Sequence, residues 1–450
     1  MIYEYFYYIF LLFLFILFLK LNIIKKDKLL LILLILLILI LSYNYHFYLK
    51  FFNYDYWKGI IFITMFFIYI IINNLSNYFE LEEWILSFII LLGAFVVITC
   101  DHFLVLYLGL ELQTFSIFIL ISKNKVWLKS SEAGLKYFIL GALSSGLFLL
   151  GILLLFIKNY SLSIESFLFS FWYEEKIIII SFLFIILSLF FKISLFPLHF
   201  WIPDIYEGSS WKILGLIGTL PKISVIYLLI QFSEIIDLFI LCSLLSIIIG
   251  TLGALNQTKL KRLLAYSGIS HIGFMILIIG ILNQKGFIIN NIYLIIYILS
   301  FISIIILTSK TILSNNNYLI ELSNNNYTNK IVALSWIILL LSIAGIPPLS
   351  GFLSKWLILW VILEENYLIS TIICIIFSVI AASYYLRFIK IIYFQKSSSY
   401  IIWKSILIYK TKNSSLNLYF LGVFIYIIMF FIIKPSPLFV FLNTSFNYIN

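Results

Sequence analysis

Apolar positions along this chain neither alternate nor mark out one helical face. They fill whole windows of roughly 18 to 25 residues, each long enough to cross a hydrocarbon core of about 30 Å as a helix. Short polar stretches separate the windows, and the pattern runs almost from end to end. It predicts an all-α polytopic membrane protein of about fourteen transmembrane helices. The expected spans are approximately 5–23, 29–49, 57–75, 84–100, 102–122, 132–157, 177–197, 211–233, 235–255, 262–283, 286–308, 330–363, 367–395 and 416–434.

Two spans depart from the pattern. The seventh reaches Pro197 and continues as HFWIP to Pro203, and the twelfth is too long and carries Gly345, Pro347, Pro348 and Gly351. Proline removes a backbone donor and clashes with the preceding turn. In lipid such breaks survive only where protein or a water-filled cavity satisfies the freed groups. Transporters place broken helices at their ion sites, in corresponding positions of two repeats. The spacing therefore predicts two inverted five-helix repeats, helices 4–8 and 9–13, with helices 7 and 12 broken. The expected organisation is a three-helix segment over 1–83, repeats over 84–233 and 234–395, and a loop with a C-terminal helix over 396–450.

Composition agrees. Of 450 residues 64% are hydrophobic and 11% charged, with a mean hydropathy of +1.14; a soluble domain is about one quarter charged. Cys100, Cys242 and Cys374 form no Cys-x-x-Cys pair, and His46, His102, His199 and His271 have no metal-ligand spacing. Iron–sulfur and zinc sites are thus not expected, and no Gly-rich phosphate loop points to a nucleotide. The net charge of +10 does not signal nucleic acid, because the cations sit in short loops between apolar segments. About eighteen lie in loops after odd-numbered spans and six on the other side. That positive-inside bias places both termini on the outer, positive side of an energised membrane. The first twenty residues lack a basic n-region and a small-residue cleavage site and read as a helix. Heavy use of Ile, Phe, Tyr, Asn and Lys suggests an AT-rich, organellar gene.

The same ledger isolates cations that are not in loops. Lys20 and Lys136 lie near span ends, where a long side chain reaches the interface. Lys222 is about eleven residues from either end of its span, Lys192 one turn before the Pro197 break, and Lys355 two turns after Pro347-Pro348. Glu111 is the acid at mid-span. A charge at mid-membrane costs at least about 2.5–3.5 kcal/mol and usually marks an ion or proton path. Removal from water pushes an ammonium towards its neutral form and a neighbouring carboxylate pulls it back, so a Glu–Lys pair that can separate is a proton switch. The plainer reading is an ion pair bracing a bundle. His199 and His271 are candidate relays or ordinary hydrogen-bonded histidines. Ser267 and Ser270 read as packing hydroxyls, Asp204 and Glu207 as caps or anchors, and Tyr384, Tyr385 and Arg387 as interface anchors.

Seven segments carry a resemblance, in order across residues 80–395: LYLGLELQTFSIFIL around Glu111, SSEAGLKYFILGALSSGLFLLG from Ser130, FKISLFPLHFWIPDIYEG from Phe191, LPKISVIYLL around Lys222, NQTKLKRLLAYSGISHIGF from Asn256, LSIAGIPPLSGFLSKW from Leu341 and SYYLRFIKIIYF from Ser383. The chain resembles the antiporter-like membrane subunits of NADH:ubiquinone oxidoreductase, respiratory complex I, and PLHFWIPDIYEG is the segment most like chain 2. Residues 1–75 and 396–450 match in hydropathy alone. The resemblance implies that Glu111 pairs with Lys192, that Lys222 is the central lysine, and that Lys355 ends a proton-carrying row with water between its members. It implies no cofactor in this chain: NAD, FMN, iron–sulfur clusters and ubiquinone are expected in other subunits. The expected partners are other membrane-arm subunits, including antiporter-like chain 4 and the small membrane subunits, and phospholipids such as cardiolipin. The expected location is the mitochondrial inner membrane, with both termini facing the intermembrane space. An Mrp-type cation/proton antiporter subunit, or a structural subunit without its own proton path, are the alternatives.

Overall fold

The computed structural model describes residues 56–75, 81–124, 127–164, 176–232, 236–281, 284–311, 318–324, 330–395, 415–433 and 435–436. The expected spans at 5–23 and 29–49, His46 and the loop after 395 lie outside the described residues. Fourteen α-helices and no strands occur among the described residues: α1 Tyr56–Asn73, α2 Leu81–Thr99, α3 Phe103–Ser122, α4 Leu128–Asn159, α5 Lys176–Ile193, α6 Trp201–Gly208, α7 Trp211–Gln231, α8 Ile236–Leu255, α9 Leu260–Gly280, α10 Gln284–Thr311, α11 Lys330–Ala344, α12 Ser350–Glu364, α13 Leu368–Tyr393 and α14 Ser415–Phe430. Every span expected between 57 and 434 falls on one or two of these helices. Nine of the described helices are long and apolar enough to cross a membrane. The described residues are all-helical and form a polytopic membrane protein.

The helices are apolar on nearly every face, as membrane helices are. Position in the bundle then decides which of them sees lipid. The spanning windows of α7 and α9 are 89% and 94% buried, whereas those of α4 and α13 are 33% buried. Large apolar side chains cover the outer surface of α3, among them Leu108, Leu112 and Phe115, and the outer surface of α13, among them Ile369, Ile372 and Ile376. Close helix contact is set by small residues. A Cβ on Gly93 would stand 2.8 Å from the carbonyl oxygen of Gly109, and one on Gly250 2.7 Å from the nitrogen of Ser270. Serine and threonine cost little in this interior because their hydroxyls donate back to carbonyls of their own helix, as Ser181, Thr219, Ser267 and Ser342 do.

Candidate functional site

Two helix ends inside the bundle are built alike. At the end of α5, Ser194 has φ 63, and the nitrogens of Ser194 and Leu195 donate to the carbonyls of Phe191 (3.0 Å) and Phe190 (2.9 Å). At the end of α11, Gly345 has φ 81, and the nitrogens of Gly345 and Ile346 donate to the carbonyls of Ser342 (3.0 Å) and Leu341 (3.1 Å). Both are left-handed caps closed by the paired bonds of a Schellman motif. Pro197 and Pro348 follow at the same spacing. Each end also takes a donor from the helix that comes next. Trp201 Nε1 donates to the Phe191 carbonyl at 3.0 Å, and Lys355 Nζ donates to the Ala344 carbonyl at 2.8 Å.

Lys355 thus sits on the C-terminal, electronegative end of α11, where a cation is favoured. Gly345 makes room for it, and Gly351 lets α12 approach the backbone of α11. A Cβ on Gly345 would meet Lys355 Cδ at 2.7 Å, and one on Gly351 would run into the Ser342 carbonyl.

Lys222 lies in the middle of α7, 4% exposed. Its ammonium has no hydrogen-bond partner among the described residues. Its neighbours are the ring faces of Tyr206 (5.8 Å) and Tyr297 (5.9 Å), cation–π contacts that offset part of the desolvation. His271 on α9 lies in the electrostatic field of both Lys222 and Lys355. Its Nδ1 is 2.6 Å from the Tyr293 hydroxyl, and its ring is 5.4 Å from that of Tyr297. His271, Tyr293, Tyr297, Ser300 and Lys355 line a common cavity of about 10 Å³, close to the room that one water needs, about 10–15 Å³. Lys222, His271 and Lys355 are therefore gathered around two tyrosines.

Glu111 and Lys192 form a second group. Lys192 is buried at its ammonium and has no hydrogen-bond partner among the described residues. It lies within electrostatic reach of Glu111, and the two form no direct ion pair. The Glu111 carboxylate accepts from the Thr114 hydroxyl at 3.2 Å. Lys192 on α5 and Lys222 on α7 stand on helices that pack together. His199 lies in the connection between α5 and α6, 4% exposed, with its ring 4.3 Å from that of Phe200 and its Nδ1 unpartnered among the described residues.

Three features were not singled out in the sequence as part of a site. Asp204 and Glu207 on α6 anchor an ionic cluster at the lysine-rich end of the bundle. Asp204 pairs with Lys136 (2.8 Å) and Arg262 (2.6 Å), and Glu207 with Lys129 (2.7 Å), Lys259 (2.5 Å) and Arg262 (2.7 Å). The cluster ties α4 to α9 through α6, so Lys136 is paired rather than simply reaching for the interface. Burial pushes the Glu207 carboxyl up, but hydrogen bonds from Lys129 and Lys259 and the charges of Arg262 and Lys259 outweigh it and hold the carboxyl down at about 2. Lys261, counted above as a loop cation, is 3% exposed. It donates to the Ser209 carbonyl at 2.5 Å and lies over the rings of Trp211 (5.1 Å) and Trp127 (5.7 Å). Tyr384 and Tyr385 are 3% and 1% exposed, which corrects their reading as interface anchors, on a helix that packs against α8 and α11. The signal for these tyrosines was weak, because a charge ledger does not count hydroxyls.

The chain is similar to known proteins over the stretch that holds these residues. The sequence profile described as "NADH:quinone oxidoreductase/Mrp antiporter, TM" matches residues 100–382, a stretch that holds Glu111, Lys192, Lys222, His271 and Lys355. The chain belongs to the NADH:quinone oxidoreductase/Mrp antiporter family. Within that family it is 36% identical over 363 residues to NADH-ubiquinone oxidoreductase chain 2 of Metridium senile, covering 79% of this chain and 94% of that protein. It is 36% identical over 337 residues to NADH-quinone oxidoreductase subunit N of Pelagibacter ubique, covering 71% and 70%. Respiratory complex I from Thermus thermophilus with bound aureothin contains a similar fold, with a TM-score of 0.75 at 23% identity over 87% of this chain and 88% of that one. An Mrp complex from Dietzia sp. gives a TM-score of 0.75 at 14% identity over 88% and 83%. Both structures share the fold of this chain.

Proposed function

We propose that this chain is a proton-translocating membrane-arm subunit of a respiratory NADH:quinone oxidoreductase, of the type named chain 2 or subunit N in its relatives. The observation that carries the reading is Lys222: an ammonium at the middle of a buried helix, without a hydrogen-bond partner among the described residues, and linked by His271 to a second buried lysine. A charge so placed is costly to keep for packing alone. It is useful where a proton must be held and released. In this reading protons pass along Glu111, Lys192, Lys222 and Lys355 with water between them, and His271 stands between the last two lysines. His199 is the weaker relay candidate. Redox energy released in other subunits, which hold NAD, FMN, iron–sulfur clusters and ubiquinone, switches the row.

The matching caps at Ser194 and Gly345 support two inverted repeats, 84–233 and 234–395, each with a helix broken at the corresponding place: α5 with α6, and α11 with α12. The segments 1–83 and 396–450 complete the chain. The expected setting is the mitochondrial inner membrane, with both termini on the intermembrane-space side. The neighbours would be antiporter-like chain 4, the small membrane subunits and phospholipids such as cardiolipin. Greater identity to chain 2 and subunit N than to the Mrp structure favours this reading over a free-standing cation/proton antiporter.

Two measurements test it. Under mild detergent the chain should co-migrate with an NADH-oxidising assembly; migration apart from one, with sodium/proton exchange in vesicles, would favour the antiporter. In the assembled complex in sealed vesicles, Lys222→Ala should lower the protons moved per NADH. Unchanged stoichiometry would make the chain a structural subunit.

A further inference from the structure

Lys261 is a buried cation that the proposed row does not use. It stands in the first turn of α9, the electropositive end of a helix, where a cation is disfavoured. That turn holds no acid of its own. Its sequence neighbours Lys259 and Arg262 pair with Glu207 and Asp204. The contacts of Lys261 are with neutral groups instead. Its Nζ donates to the Ser209 carbonyl at 2.5 Å and lies over the rings of Trp211 and Trp127. Ser209 closes α6, its nitrogen donating to the Ile205 carbonyl, and the Ser210 side chain caps the start of α7. One ammonium thus holds the electronegative end of α6, the first residue of α7 and the residue before α4. The same junction is fixed by α4 as well: a Cβ on Gly208 would run into the Lys129 carbonyl and the Ala133 side chain.

The clamp sets a level. At 1.5 Å per residue, Lys222 is about 16 Å along α7 from Trp211, and Gly268 and His271 are about 10 Å and 15 Å along α9 from Lys261. Half of a hydrocarbon core is about 15 Å. A helical side chain leans towards the N-terminus of its helix, which carries the Lys222 ammonium back towards the level of Gly268. The two meet there: a Cβ on Gly268 would stand 3.4 Å from Lys222 Nζ and 3.3 Å from the Tyr297 hydroxyl. The helix α7 does not hold this level by itself. Pro221, directly before Lys222, lies inside it and lacks the N–H that would bond one turn back, so α7 bends more readily there. Packing alone would be served at position 261 by an apolar side chain of similar length, without the cost of burying a charge. What the ammonium adds is a bond to the backbone of the α6–α7 junction, and backbone is what a register clamp must hold.

The structure assigns Lys261 as the positioning residue that sets α7 in register with α9 and so places the Lys222 ammonium at Gly268 and Tyr297. It acts through Lys222 and carries no proton itself. The helices α6 and α7 belong to the first of the two proposed repeats and α9 to the second, so the clamp also joins the repeats. The assignment rests on the proton-translocating reading above.

The test is Lys261→Met in the complete complex, reconstituted in sealed liposomes and imaged by cryo-electron microscopy. Methionine keeps the apolar stem and removes the ammonium. A misplacement of about 1 Å at a reacting group can cost about a hundredfold in rate. The expected result is NADH-driven proton movement about tenfold or more slower, with α7 displaced along α9 by about 1 Å or more, so that the Lys222 ammonium leaves Gly268. Lys261→Arg keeps the charge, the donor and the stacking on tryptophan, and should recover most of the rate and the register. Lys222→Met, measured in parallel, tests the underlying function. If Lys261→Met matches the unmodified complex in rate while Lys222→Met is impaired, the assignment is overturned and the function stands. If neither is impaired, both fail. If Lys261→Met is slow with α7 in its place, Lys261 acts other than through register and the assignment is overturned. If it does not assemble, Lys261→Gln, which keeps a donor without the charge, is read in the same way. Failure of both to assemble makes Lys261 a folding residue and overturns the assignment.

Discussion

Replacing Lys355 by methionine is expected to lower proton movement through this chain by about a hundredfold or more, with the chain still folded and assembled. Methionine has nearly the length and volume of the lysine stem, so the contact with Gly345 and the cavity beside His271 keep their shape. Two things are lost: the charge on the electronegative end of α11 and the donor to the Ala344 carbonyl. The first is worth about 0.3–2 kcal/mol and the second about 1–3 kcal/mol for a buried acceptor left unpaired. Both are too small to unfold a bundle of this size. The loss in proton movement is larger because a group that takes and gives a proton contributes about 10²–10⁴ in rate. Proton movement per NADH and the thermal midpoint, measured on one preparation, separate the two effects. A normal proton count with a lowered midpoint would reduce Lys355 to a helix cap.

Glu207→Ala should act in the opposite sense, costing stability first. Glu207 meets Lys129, Lys259 and Arg262, and its removal leaves three cations close together with Asp204 as their nearest acid. Breaking a fully buried pair costs about 3–5 kcal/mol. Glu207 keeps some exposure, so about 1–3 kcal/mol is the discounted expectation. The pH dependence follows from the direction of the shift. Its folded carboxyl is held at about 2, below the ordinary value of 4.5. The stabilisation is fully present above about 4.5 and is lost as the pH falls towards about 2. Thermal unfolding of the detergent-solubilised complex should show the unmodified chain losing this contribution across that window, and the alanine variant without it at every pH. Equal midpoints at pH 7 would mean that the cluster is solvated surface charge.

Much of this was legible in the sequence. Hydropathy placed the described helices except α6 because each apolar window matches a bilayer crossing, and the prolines at 197 and 348 marked where α5 and α11 stop. Lys222 and Lys355 stood out because a charge within an apolar run has few harmless explanations. What sequence could not supply is the third dimension. Lys261 lies between Lys259 and Arg262, so it read as a loop cation; only the fold of α6 back against α9 encloses it between Trp127 and Trp211. Lys136 pairs with Glu132 one turn earlier, but it read as a side chain reaching for the interface because its other partner, Asp204, is 68 residues away. Tyr384 and Tyr385 read as interface residues because tyrosine is common at membrane boundaries, and their burial depends on how α13 packs. His271 carried no distinguishing pattern, and its place between two lysines came from the crossing of α9 with α7 and α12.

The central claim is that Lys222 works by changing its protonation and not by bracing the bundle. Lys222→Arg separates the two, because arginine keeps the positive charge and does not give up its proton in a protein. The decisive measurement is the number of protons moved per NADH oxidised by the assembled complex carrying Lys222→Arg in sealed liposomes. The account predicts a lowered count with assembly retained. A count equal to that of the unmodified complex would show that a fixed charge suffices at this position, and would contradict it.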